Sequence, residues 1–238
     1  AYTEHQYHVV YHQLHQFCGS TLSAFYLDIL KDRLYTSPKR APERLAAQTV
    51  LYRLGTDLCR LMAPVLCFTA EEIWQEFEEH AGRAKWDRST VHAETFPDPL
   101  EVERDDALLD RFDRLAGLRE EISRALEGAR RDKRIGTPLE ARVRIAASDD
   151  DRRFLESFGE RLRFYLIVSA VEFGETGEGA VAAESVEGMS VEVLRAEGVK
   201  CARCWHYTTD VGSDPEYAEV CARCAVNVRE IVAVGEPG

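Results

Sequence analysis

Gly198-Val-Lys-Cys201-Ala-Arg-Cys204-Trp205-His206, with sixteen residues between Cys204 and the answering Cys221-Ala-Arg-Cys224, is the stretch from which the rest of the chain is read. Two C-x-x-C pairs at that distance offer four sulfurs to one small ion. Each pair sits on a tight knuckle whose sulfurs both reach the metal, and tetrahedral zinc takes two from each. The segment is roughly thirty residues long and has too few apolar side chains to offset its ordering entropy with a core. A structural zinc ion, contributing on the order of 10–16 kcal/mol, supplies the difference. With Cys201, Cys204, Cys221 and Cys224 as ligands, no coordination position is open to a catalytic water. His206 is then a neighbour, not a fifth ligand. Disulfides or a redox motif are the competing readings of such a cluster. Of the seven cysteines, Cys18, Cys59 and Cys67 are scattered in apolar helical contexts, where a thiol behaves as a small hydrophobe. The odd count and the lack of a secretory apolar segment point to a reducing compartment, where thiols bind metal more often than they pair.

At 238 residues the chain is long enough for one large core or two domains plus the metal module. No apolar run approaches bilayer length, so a soluble protein with no membrane contact is expected. The chain opens Ala1-Tyr2, without methionine, and enters a helical pattern almost at once, as a piece of something longer would. Its net charge of −12 is unevenly spread. Residues 1–60 hold seven cations against five acids, and residues 119–145 hold eight against five. Every other segment is acidic, so a polyanion would have to touch those two basic islands.

Apolar stripes at helical spacing predict a mainly α first half. Thr3-Glu4-His5-Gln6 has capping-box spacing, and Val10, Leu14, Phe17 and Cys18 follow, predicting a helix from about Glu4 to Cys18. Gly19-Ser20 interrupts it, and Leu22 to Leu34 resume a stripe that Ser37-Pro38 ends. Pro42 suits the first turn of a third helix carrying Leu45 to Met62, stopped by Pro64. Thr69-Ala-Glu71-Glu72 reads as another capping box, opening a short helix through Trp74 and Phe77. Trp74 and Tyr26 fall at core spacing. Residues 1–82 are therefore an antiparallel helical bundle. Residues 83–104, with Gly82 before them and Pro97 and Pro99 inside, form an irregular connector with a short strand around Val91. Residues 105–198 start with a long charged helix ending near Arg134, after which the period changes to two. Ala141, Val143 and Ile145 mark one strand, Tyr165 to Val168 with Val171 a second, and Val191, Val193 and Leu194 a third. A helix through Phe154, Leu155 and Phe158 and an acidic turn at residues 174–179 complete a small α+β domain. Residues 199–238 are the zinc module, a four-cysteine ribbon.

Catalytic signatures are missing from these 238 residues. The glycines at 174, 177 and 179 fit no dinucleotide turn, and no P-loop, G-x-S-x-G or H-E-x-x-H occurs. Adjacent acids such as Glu71-Glu72 and Glu78-Glu79 point apart on a helix and read as a solvated face. The chain reads as a binding module with no catalytic residues.

Several stretches together resemble the C-terminal part of bacterial isoleucyl-tRNA synthetases. Residues 17–36, Phe-Cys-Gly-Ser-Thr-Leu-Ser-Ala-Phe-Tyr-Leu-Asp-Ile-Leu-Lys-Asp-Arg-Leu-Tyr-Thr, are similar to the first long motif of the anticodon-binding domain of that class I family. Leu61-Met-Ala-Pro64, running on to Phe68-Thr69-Ala-Glu71-Glu72-Ile73-Trp74, resembles the second. Residues 130–141 resemble the segment after the bundle, and the C-A-R-C pairs with Trp205 resemble the terminal zinc finger. The resemblance implies a cytoplasmic parent, a monomer, that joins isoleucine to its tRNA using ATP. It also implies that the catalytic and editing domains, and the ATP site, lie outside this chain, since His-x-Gly-His and Lys-Met-Ser-Lys-Ser are absent. The fragment alone is then inactive, its partners being the anticodon arm of isoleucine tRNA and the remainder of the synthetase.

Phosphates are met by Lys and Arg, and unstacked bases by aromatic rings. The candidates in the first island are Lys31, Arg33, Arg40 and Arg44, with Lys39 beside them. In the second they are Arg130, Arg131, Lys133, Arg134 and Arg142, next to Arg144. Arg203, Trp205 and Arg223 ride on the knuckles. Each has a structural alternative: ion pairs within or between helices for Lys31 and Arg33, a solvated helix end for Arg130 to Arg134, packing of the zinc module for Trp205. Two rival functions stand beside this one. The zinc finger also resembles that of formamidopyrimidine-DNA glycosylases, although those begin with a proline nucleophile followed by glutamate. Alternatively the zinc module is a purely structural staple without nucleic-acid contact.

Overall fold

A computed structural model describes residues 1–98 and 104–233. Pro99 and the rest of 99–103, inside the expected connector, lie outside the described residues, as do 234–238 at the end of the expected zinc module. The chain forms two compact units. One is Ala1–Leu34 with Lys39–Glu103, the other Tyr35–Pro38 with Arg104–Gly238.

The first unit is helical, with α1 (Tyr7–Gln16), a π-helical stretch (Phe17–Leu27), α2 (Asp28–Thr36, whose last two residues belong to the second unit), α3 (Pro42–Met62) and α4 (Cys67–His80). Pro42 opens α3 as expected, because its missing N–H would be unpaired there anyway. Three local expectations fail for identifiable reasons. The helix predicted from Glu4 starts at Tyr7, because residues Tyr2–Glu4 make a 3-10 turn closed by His5 at φ 57°, and Gln6 caps α1 without a side-chain bond. Gly19-Ser20 does not interrupt the helix. The chain runs from α1 into α2 through widened i→i+5 turns, since a glycine costs a helix only about 1 kcal/mol while keeping its N–H. Thr69 is not a cap either: α4 already starts at Cys67.

Glu71, freed from that box, fastens the following segment instead. Its carboxylate accepts from Thr90 Oγ1 at 2.8 Å, Val91 N at 2.9 Å and Gln75 Nε2 at 2.9 Å. Glu78, also on α4, accepts from Ser89 N at 2.9 Å and Arg83 at 2.8 Å. Trp74 Nε1 donates to Ser89 Oγ at 3.1 Å, and its ring is buried as expected, while Tyr26 is half-buried. With its backbone held by carboxylates instead of a neighbouring strand, the strand expected at Val91 is a 3-10 turn, Val91–Ala93. Val91 is buried beside Cys59, Ala63, Ala70 and Trp74. Burial by itself would raise the Glu71 pKa, but the bonds from Thr90, Val91 and Gln75 outweigh it and hold the carboxyl below its usual range. A depressed folded pKa stabilises above the unfolded value of about 4.3 and stops doing so as pH falls through the lower folded one. Glu71→Ala is therefore expected to cost about 1–3 kcal/mol at pH 7 in thermal unfolding. The difference from wild type should shrink as the pH is lowered towards 3.

In the second unit α5 (Asp106–Arg131) is capped by Asp105, whose side chain accepts from Leu108 N at 2.9 Å. Its stripe of Leu115, Leu118, Ile122, Ala125, Leu126 and Ala129 lies in one core with the sheet. The strands are β1 (Ala141–Ala146), β2 (Ala170–Phe173), β3 (Val181–Ala182) and β4 (Ser190–Arg195), in the order β2-β1-β4-β3. β1 runs parallel to β2 and antiparallel to β4. The expected alternation holds on β1: Ala141, Val143 and Ile145 are buried. Arg142 and Arg144, between them, reach carboxylates: Arg142 pairs with Glu172 and Glu197, Arg144 with Glu172 and Glu192.

Two boundaries differ from the sequence reading. α5 ends at Arg131, because Lys133 adopts φ 59° and Arg134 N turns back onto Ala129 O at 2.9 Å. The apolar run at Tyr165–Val168 is not a strand. Leu162–Leu166 is a short helix α7, closed by Ile167 at φ 57°, and only Val171 of that expected strand lies in β2. A four-residue apolar run suits either state, and here the left-handed residue ends the turn. The helix expected at Phe154 is α6 (Asp149–Glu156), capped by Ser148.

Candidate functional site

The chain leaves β4 at Arg195 and enters a two-stranded antiparallel ribbon, β5 (Val199–Lys200) with β6 (Tyr207–Thr208). The turn between them carries the first cysteine pair. It is closed by Trp205 N bonding Cys201 O at 3.0 Å and Cys201 N bonding His206 O at 2.9 Å. The second pair is not on a free knuckle: Cys224 lies in the first turn of helix α8 (Ala222–Ala233), which the sequence reading missed. Positions 221 and 224 fall on one helical face, so both sulfurs still turn the same way. Ala225, Val228 and Ile231, spaced by three, were the available signal.

All four sulfurs lie within 4.8 Å of one another and all four cysteines are buried. Cys204 and Cys221 Sγ are 3.8 Å apart, the edge expected of a tetrahedron with zinc–sulfur bonds of about 2.3 Å. Cys221 N also donates to Cys201 Sγ at 3.3 Å, a bond that favours thiolate. Cys221 accepts hydrogen bonds from Cys204 and then Cys224, which hold its thiol well below the ordinary range. The same contact pushes Cys204 up to about 11. So closely packed, the sulfurs ionise together only around a cation, and the donor set fits one zinc ion with no fifth ligand. His206 is buried, its Nδ1 against Cys204 O at 3.1 Å and its ring edge-on to Phe164, so it supports the knuckle from behind.

Gly198 fixes the ribbon's start. It has φ +88°, and a Cβ there would come within 2.1 Å of Thr208 O and 2.3 Å of Thr208 C. Backbone cannot yield as a flexible side chain does, so Gly198→Ala must part β5 from β6. Zinc retention against a chelator, read as equilibrium zinc content, is expected to weaken by at least about tenfold, equivalent to about 1.4 kcal/mol.

The knuckle residues divide into inward and outward sets. Arg203 reaches Tyr35 O at 3.4 Å, Arg223 reaches Thr36 Oγ1 at 3.5 Å, and Asn227 Nδ2 donates to Thr36 O at 3.0 Å. The Arg223 guanidinium also lies 5.2 Å from the centre of the Phe164 ring. Both arginines thus serve contacts within the unit. Trp205 does the opposite: it is 59% exposed, set at φ 65°, with Lys200 Nζ 5.6 Å from its ring centre. Its ring does not form the apolar face of the zinc module; Val211 and Val220 pack on the cysteines instead.

The second basic island is brought together. Arg130, Arg131, Lys133 and Arg134 line an open groove of about 490 Å³, joined by Arg195 from the end of β4 and by two acids, Glu127 and Glu140. The turn at Lys133 swings the chain's cations to one side of the helix end. Glu140 accepts from Gly136 N at 3.0 Å and lies 3.9 Å from the Arg195 guanidinium. Arg195 was missed because it lies about sixty residues from the island in sequence. Arg134 donates to Val193 O at 3.1 Å and Arg130 to Glu127 at 2.7 Å. Arg142 is not in the groove and is held by its carboxylates. Lys31, Arg33, Arg40 and Arg44 belong to the first unit. Lys31 pairs with Asp28 at 2.5 Å, Arg40 is exposed, and Arg33 and Arg44 are half-buried.

Among the described residues no helix is long and apolar enough to cross a membrane. Residues 1–145 match the family described as the anticodon-binding domain of tRNA ligase, and residues 198–226 match a zinc finger found in FPG and IleRS. The isoleucine–tRNA ligase of Geobacter sulfurreducens is 43% identical over 230 residues, which cover 96% of this chain and 24% of that protein. That of Glaesserella parasuis is 42% identical over 229 residues, at the same coverage. That of Moorella thermoacetica is 39% identical over 239 residues, 99% of this chain and 25% of that protein. The chain thus spans about a quarter of the length of these relatives. Since the helical match takes in more than half of the chain and the four-sulfur finger follows it, the chain belongs to the anticodon-binding domains of tRNA ligases, in the form that isoleucine–tRNA ligases carry with a zinc finger.

Proposed function

We propose that this chain grips the anticodon arm of isoleucine tRNA for a longer, cytoplasmic, monomeric ligase that uses ATP to attach isoleucine to that tRNA. The catalytic and editing steps fall to parts of that ligase beyond this chain, and the chain alone does not activate an amino acid. The observation that carries the reading is the groove at the end of α5, where five cations converge with only two acids, Glu127 and Glu140, in a chain of net charge −12. Polyanion binding is the ordinary use of such convergence. Cys201, Cys204, Cys221 and Cys224 hold the zinc ion, which stiffens the turn that presents Trp205. That exposed indole, beside Lys200, stacks on an unpaired base. Arg203 and Arg223 act from behind, and the first-unit cations Lys31, Arg33, Arg40 and Arg44 remain candidate contacts. The work is divided among a bundle at 1–82, a connector at 83–104, an α+β part at 105–198 and the zinc module at 199–238.

The test is equilibrium binding of the zinc-loaded chain to isoleucine tRNA and to the same tRNA with its anticodon stem-loop removed, across a salt series. Tight binding of the first and loss with the second supports the reading. Equal affinity for both refutes it.

A further inference from the structure

Among the described residues Trp86 and Phe68 are the most exposed large apolar side chains, each 86% exposed, yet only Trp86 crowns a segment held rigidly from below. The segment from Arg83 to Val91 is fastened to α4 at both ends, at Arg83 and from Arg88 to Val91. Glu78 accepts from Arg83 and Ser89 N, Glu79 pairs with Arg88 at 3.1 Å, Gln75 donates to Ser89 O at 2.8 Å, and Glu71 holds Thr90 and Val91. Arg88 Nε further donates to Arg83 O at 3.2 Å, closing the loop on itself. At its tip Lys85, Trp86 and Asp87 form a single 3-10 turn, all three exposed. With Arg83 and Arg88 anchored on either side, the turn presents the indole to solvent.

We infer that Trp86 is a second RNA-stacking contact, taking an unpaired base or the open end of a stem in the RNA the chain binds. The inference rests on the tRNA-binding reading above. The chemistry around the indole selects this occupant over an apolar protein surface. Arg83, Lys85 and Arg88 lie within three residues of Trp86, with Asp87 as the one acid in that run of six; Arg83 and Arg88 pair with Glu78 and Glu79 of α4, and Lys85 is exposed next to the indole in sequence. Arg83 keeps half of its side chain in solvent after pairing with Glu78. An aromatic platform with cations beside it is the arrangement by which single-stranded nucleic acid is held, the ring taking a base face and the cations the adjoining phosphates. No catalytic step is implied.

The chain has three tryptophans, Trp74, Trp86 and Trp205. Replacing Trp205 by phenylalanine leaves the buried Trp74 and the exposed Trp86 as emitters. Titrating isoleucine tRNA into Trp205→Phe, with complex formation followed independently by filter binding, is expected to quench the emission along the binding curve. The quenching should vanish in the Trp86→Phe/Trp205→Phe protein. In the otherwise wild-type chain Trp86→Ala should weaken tRNA binding roughly 5- to 100-fold while Trp86→Phe retains most of it. Because Trp86 is 86% exposed, its variants should unfold close to the wild-type temperature. Complex formation without quenching, and with unchanged affinity for Trp86→Ala, overturns the inference and leaves the tRNA-binding reading standing; a protein partner for Trp86 would give that result. Failure of the wild-type chain to form any complex overturns both.

Discussion

Replacing Cys221 by serine is expected to abolish zinc binding and unfold residues 199–233 while the core of the second unit survives. Zinc in such a site contributes on the order of 10–16 kcal/mol. What remains without it is a ribbon of two two-residue strands, the twelve-residue helix α8 and, among the described residues, a cluster in which Val211 and Val220 pack on the cysteines. That apolar area is far too small to order the segment. The α5–sheet core, by contrast, is a continuous cluster from Leu115 to Val193 with no member in the finger. Hydrogen exchange on the serine variant should therefore show protection lost from the amides of Cys201, Trp205 and Ala225 and kept in β1 and β4. Zinc content should fall from one per chain to none. Replacing Cys18 and Cys67 by serine should leave it at one. Zinc retained by Cys221→Ser, or melting that spreads through β1 and β4, would show that the metal is not what orders the finger.

Neutralising the groove has the second large effect. With Arg130, Arg131 and Lys133 all changed to glutamine, tRNA binding should weaken by roughly 100- to 1,000-fold at 0.1 M salt. The slope of log affinity against log salt should become shallower by about 2–3, since each phosphate contact contributes roughly 0.7–0.9 to that slope. Arg134 is left in place because its bond to Val193 O ties the helix end to β4. The matching change at Arg142 should do little, as that guanidinium already faces Glu172 and Glu197. An unchanged slope in the triple variant would place the phosphates elsewhere.

The metal site and the class of each half could be read from the sequence because both depend on short-range spacing. Two residues between cysteines, one between buried positions on β1, and two or three between the apolar positions of α5 are local signals that packing preserved. What could not be read depended on partners distant in sequence or on single backbone angles. Glu71 had the spacing of a cap and became the anchor for Thr90 and Val91, nineteen and twenty residues away. Left-handed residues at His5, Lys133 and Ile167 moved three element boundaries, and none of the three is glycine. Trp205 could equally have packed inward; its exposure follows from its own positive φ, which composition does not encode. Arg203 and Arg223 had the charge of RNA contacts, but Tyr35 and Thr36, more than 160 residues earlier, occupy them.

The most direct test of the central claim, that this chain recognises an anticodon, is a thermodynamic cycle. Wild type and Trp205→Ala are each bound to isoleucine tRNA and to the same tRNA with one anticodon base changed. The account predicts that the wild-type chain prefers the native anticodon and that Trp205→Ala loses most of this preference, leaving the two RNAs nearly equal. A Trp205→Ala protein that is weakened equally towards both RNAs, or a wild-type chain that never distinguished them, would contradict it.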